Sequence, residues 1–90
     1  MAEYILVGKV THYFTRLGVA GVEMMDSLSL GDQIHILGNT TDFQQPVTSM
    51  ELDHQPIETA YAGQLIGLKV WRRARPGDMV YKLSGEPEPG

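Results

Sequence analysis

Apolar and polar residues alternate with a period of two along most of this chain. Ile66, Leu68 and Val70 alternate with Leu65, Gly67 and Lys69, the pattern of a strand with one face on a core, and Val80 lies on a return strand. Between them runs a basic connection ending in Pro76-Gly77-Asp78. Proline presets φ near the turn value and glycine accepts positive φ, so the chain can reverse there, and residues 64–81 read as a closing hairpin. Tyr4 to Phe14 reads as a long first strand, with Ile5 and Val7 on one face and a bulge or close backbone contact at Gly8. After a turn over 15–18, Val19 to Met25 resumes as a strand interrupted by Gly21. Gln33 to Leu37 places Ile34 and Ile36 on one side and Gln33 and His35 on the other. Phe43 to Leu52 reads as one strand, with Pro46 at an edge or bulge and Thr48, Met50 and Leu52 facing inward. A short strand runs from Ile57 toward Ala60.

No window offers apolar residues at i, i+3, i+4 and i+7 together with caps, so little helix is expected beyond one turn near Thr59 to Ala62. Six or seven short strands separated by turns predict an all-β fold, and a chain this short removes its exposed edges best by closing. The expectation is a small closed six- to seven-stranded antiparallel β-barrel.

Ninety residues suffice for one domain with one core, here 1–83, and the apolar-poor segment 84–90 is expected to be a disordered tail. Cysteine is absent, which excludes disulfide frameworks, thiolate nucleophiles and zinc fingers. The amino terminus lacks the basic region and apolar core of a signal peptide, so a cytoplasmic protein is the default. A net charge of −4 opposes general affinity for nucleic acid or anionic membranes. The distribution of charge is less even. Lys69, Arg72, Arg73 and Arg75 are four of the seven basic residues, which leaves three against eleven acids elsewhere.

Five segments carry a resemblance. Val7-Gly8-Lys9-Val10, Leu30-Gly31-Asp32-Gln33-Ile34, Val47-Thr48-Ser49-Met50-Glu51, residues 60–68 and Arg75-Pro76-Gly77-Asp78-Met79-Val80-Tyr81 occur in the order found in the second-domain β-barrel of translational GTPases, elongation factor Tu and initiation factor two. The chain also resembles stand-alone elongation-factor-like proteins and the barrel that ends collagenase-like peptidase-family proteins. The resemblance implies a translation-protein barrel that contacts tRNA, ribosomal RNA or neighbouring domains. No Gly-x-x-x-x-Gly-Lys-Ser/Thr loop occurs, so the phosphate cradle needed for nucleotide hydrolysis is missing and no GTPase domain is present.

Chemistry-bearing residues are few. His12, His35 and His54 lack the spacing that brings metal ligands together, and no cofactor is expected. Asp53-His54 supplies the acid–imidazole part of a triad, with Ser27 or Ser49 as conceivable nucleophiles, but turn geometry explains an Asp-His-Gln-Pro stretch more simply. Asp32 and Asp78 each follow a glycine at a strand entrance, where a side-chain oxygen accepts from local backbone donors. No enzyme is expected. The better candidate is the basic connection, Lys69, Trp71, Arg72, Arg73 and Arg75, since guanidinium groups beside an aromatic face grip phosphate and stack on an unpaired base. The same residues also read as a solvated loop that balances Glu51 or Glu58, or as a protein contact. Thr40, Thr41 and Phe43 form a second candidate surface, with Phe43 alternatively plugging the core. Two functions follow as expectations: a non-catalytic module binding tRNA or ribosomal RNA, or a protein-interaction barrel serving as accessory subunit of a larger enzyme such as a peptidase-family protein.

Overall fold

A computed structural model describes residues 3–84. Ten strands and no helix occur among them: β1 (Glu3–Phe14), β2 (Val19–Met24), β3 (Leu28–Ser29), β4 (Gln33–Leu37), β5 (Asp42–Pro46), β6 (Met50–Leu52), β7 (Gln55–Ile57), β8 (Thr59–Ala60), β9 (Leu65–Lys69) and β10 (Met79–Ser84). Every pairing is antiparallel. The main sheet runs β5-β4-β10-β1-β2-β9-β6-β7, and β3 pairs with β8 beside it. Ser84, which the sequence reading assigned to the tail, pairs with Glu3, and the rest of that expected disordered tail, residues 85–90, lies outside the described residues.

The period-two reading holds where the ladder is regular. Ile34 and Ile36 of β4 are fully buried, as are Leu68 of β9 and Val80 of β10, and they join Val22, Met24, Leu28 and Met50 in one core. In β1, Val7 and Val10 are both buried although three residues apart. The register shift between Leu6 and Gly8, at the glycine that marked it, reconciles them, and a second shift follows between Val10 and His12. A Cβ on Gly8 would lie 2.6 Å from Val22 Cγ1, so close strand contact, rather than backbone conformation, demands glycine there.

Three expectations are corrected. Residues 64–81 are not a hairpin: β9 and β10 are separated by β1 and β2, β9 pairing with β2 and β10 with β1. The long β1–β2 hairpin offers two free edges, and the two later strands take one each, so residues 70–78 form a crossover. Phe43 to Leu52 is not one strand either. Pro46 ends β5, and Val47 turns its N–H to the Asp32 carbonyl at 2.8 Å while its own carbonyl accepts from Gly31. That break shifts the alternation, so Val47 is buried and Thr48 is exposed. Finally, the sheet does not close into a barrel among the described residues. Its order is linear, with β5 and β7 as edges, and each edge carries a proline, Pro46 or Pro56, that removes a ladder donor and blunts pairing with other chains.

Between the β5 edge and the end of β9, which share no ladder, one side chain spans the gap. Gln45, 1% exposed, donates from Nε2 to the Lys69 carbonyl at 3.0 Å and to the Pro46 carbonyl at 3.1 Å, and its Oε1 accepts from Trp71 N–H at 2.7 Å. A carboxamide has the donor and acceptor of a peptide group. It therefore bonds either side of Val70 as a neighbouring strand would.

Candidate functional site

The crossover between β9 and β10 is anchored at both ends and at its middle. Val70 donates to the Gly18 carbonyl at 3.0 Å, Gln45 holds Lys69 and Trp71, and Ala74 is fully buried. Arg75-Pro76-Gly77-Asp78 forms the turn the sequence predicts. Gly77 has φ +95, and the buried Asp78 accepts the Arg75 N–H at 2.7 Å. Gly38 makes room for that carboxylate, since a Cβ there would sit 1.7 Å from Asp78 Oδ1. Asp32 repeats the device, accepting Ser29 N–H at 2.8 Å after Gly31 at φ +89. Both carboxylates thus serve local backbone donors.

With Val70, Ala74 and Asp78 buried, the remaining crossover residues, 71–73 and 75–77, are exposed. Trp71 is 60% exposed, and Arg72, Arg73 and Arg75 are exposed. Among the described residues none of the three arginines pairs with a carboxylate, so Glu51 and Glu58 do not balance them. Arg73 lies over the Tyr13 ring, 5.9 Å from its centroid, and Lys69 Nζ donates to the Leu17 carbonyl at 2.7 Å. The crossover presents a tethered cationic ridge with one indole.

The second candidate surface is not one. Thr41 is 5% exposed and Phe43 8%, Phe43 packing in the core, and only Thr40 of that group faces solvent. The histidines take separate roles. His35 lies 2.6 Å from Asp42, His12 packs on Phe14, and Asp53 and His54 are the two central residues of the β6–β7 turn, at φ 51 and 64. Positive φ at both positions matches the twist of a two-residue hairpin, which accounts for the Asp-His pair without a triad.

A concave feature was not apparent in the sequence. On the outer face, β1, β2, β9 and β6 bring His12, Gly21, Gly67 and Glu51 into one cross-strand row. The two central positions carry no side chain, and a trough of about 350 Å³ opens over them. Phe14, Leu17 and Val19 line one end, Leu65 the other, and Glu51, Asp53 and His54 the far wall. Strands lie about 4.8 Å apart, so the walls stand roughly 14 Å from each other, measured between the backbones of β1 and β6.

Fold and surface together define a small antiparallel all-β domain with an outer trough and a cationic crossover. In solved structures this fold occurs as the C-terminal domain of a Geobacillus thermoleovorans protein assigned as a U32 peptidase, with TM-score 0.80 and 24% identity over 86% of this chain and 90% of that one. Its selenomethionine form matches equally, with TM-score 0.80 and 23% identity. The chain is also 36% identical over 80 residues to an uncharacterized protease of Methanocaldococcus jannaschii, covering 88% of this chain and 20% of that protein. A Porphyromonas gingivalis collagenase is 40% identical over 88 residues, covering 96% of this chain and 21% of the relative. The chain thus spans about a fifth of the length of the curated relatives it matches. No family model matches it. Of the two resemblances drawn from the sequence, these similarities support the collagenase-like one and give no support to the translation-factor barrel.

Proposed function

We propose that the chain is a non-catalytic recognition domain that works with a larger protein of the U32 peptidase kind, joined to it or supplied in trans as an accessory subunit. The observation that carries this reading is the shape of the similarity. Nearly all of this chain aligns with only a fifth of each curated relative, and the solved neighbour is a C-terminal domain. A unit of that size, bearing exposed tryptophan and arginine on an anchored crossover, has the surface chemistry of a protein contact.

The crossover favours a second reading, in which the domain recognises RNA. Arg72, Arg73 and Arg75, with no carboxylate partner among the described residues, stand beside the exposed Trp71 and would combine phosphate binding with a stacking platform, on a chain whose other residues carry an excess of acids. One experiment separates the two. The tagged chain is recovered from cell extract, the sample is split, and half is treated with ribonuclease. A U32-peptidase-type protein retained in both halves supports the first reading. Loss of the bound material on ribonuclease treatment supports the second and overturns the first.

A further inference from the structure

The outer trough is built at some expense to the sheet. Glycine weakens a strand interior relative to alanine, and here two of them, Gly21 and Gly67, stand directly opposite each other. Neither has a positive φ, so the backbone does not require glycine at either place. Packing leaves room for a side chain at Gly21, where a Cβ would meet neighbours at 3.4 Å and beyond, and less at Gly67, where it would press on Val19 Cγ1 at 3.2 Å. Gly21 stands at the register shift between Val10 and His12, whereas no shift falls at Gly67, and a glycine inside a strand also marks a place where another chain can approach the backbone closely.

The rim describes what that chain carries. Leu17 and Leu65, at opposite ends of the trough, are 62% and 61% exposed. The carboxylates on the lining are Glu51 and Asp53, and no lysine or arginine lines it. The ammonium of Lys69, two residues from Gly67 on β9, is held by the Leu17 carbonyl. An anionic ligand such as nucleic acid is disfavoured here, in contrast to the crossover.

We infer that the trough seats an extended segment of a partner protein in which an arginine or lysine has apolar side chains two residues before and two residues after it, so that all three point to the same face. The aliphatic stem lies over Gly21 and Gly67, the cationic head meets Glu51 and Asp53, and the flanking apolar groups cover Leu17 and Leu65. The inference stands whether or not the larger protein is a peptidase, because it rests on this surface alone.

The test uses the whole chain, isotope-labelled, titrated with the peptide acetyl-Leu-Ser-Arg-Ser-Leu-amide and with its citrulline counterpart, which keeps shape and removes charge. Amide shifts are expected at Gly21, Gly67 and Glu51, with the arginine peptide binding about fivefold tighter, the product of two exposed charge contacts worth a little over twofold each. The double change Glu51→Gln with Asp53→Asn should bring the two peptides within twofold, asparagine being chosen because it tolerates the left-handed backbone at position 53. Gly67→Val should weaken both peptides by filling the floor. Should that variant fail to fold, the double variant, altered only at exposed side chains, still decides. Equal affinity for the two peptides, shifts confined to the crossover around Trp71, or no binding at millimolar peptide would each overturn the inference.

Discussion

Replacing Gln45 by methionine tests whether a single carboxamide completes this sheet. The two side chains have similar volume, so the change opens little cavity and isolates the hydrogen bonds. Three are lost: Nε2 to the Lys69 and Pro46 carbonyls, and Trp71 N–H to Oε1. A buried backbone group left unpaired costs roughly 1–3 kcal/mol, carbonyls less than N–H groups, and the exposed flank of Trp71 lets water repair part of the loss. The net is about 2–4 kcal/mol. A 90-residue domain has a total stability of roughly 5–13 kcal/mol, and at this size each kcal/mol moves Tm by about 4–8 °C, so a fall of at least about 8 °C is expected. Calorimetry with urea titration measures it, with Gln44→Met, on the exposed neighbouring position, as control at no more than about 0.5 kcal/mol. Equal stability of the two variants would refute the idea that Gln45 stands in for a strand.

Gln45→Glu should show a pH dependence of known sign. It keeps the acceptor for Trp71 but turns an oxygen toward two carbonyls, and burial plus those carbonyls raise its folded pKa above the ordinary glutamate value. The penalty is therefore absent in acid, where both states are protonated, and grows as pH rises from the ordinary value to the raised one; urea midpoints at pH 4 and 7 check it. Gly38→Ala should destabilise by about 2 kcal/mol or more, because its Cβ meets the Asp78 carboxylate, and in a double-mutant cycle with Asp78→Ala the two costs should fall well short of additive. Leu68→Ala should cost about 2–5 kcal/mol in urea denaturation, as expected for a fully buried leucine. Changing Arg72, Arg73 and Arg75 together to serine should leave Tm within a few degrees, since their side chains face solvent, and if RNA is the ligand it should flatten the salt dependence of binding measured by filter retention.

What the chain determined by itself is what depends on neighbours within a few residues. Ile34 and Ile36 face inward because side chains alternate along any strand. The Arg75 to Asp78 turn forms because proline and glycine fix its φ values and an aspartate closes it. Gln45 did not belong to that class: read as one strand with Thr48, Met50 and Leu52 inward, residues 43–52 place it outward, and only the break after Pro46 frees it to point inward with Phe43. Pairing partners are another matter. Nothing local tells β9 to join β2 or β10 to join β1, or sets Gly21 against Gly67, because those choices are made by ladders between residues some 45 to 80 positions apart. The crossover's exposure, the open sheet mended by one glutamine, and the trough all follow from those distant pairings. Alternation is a property of the backbone, whereas register is settled only when the whole core is filled.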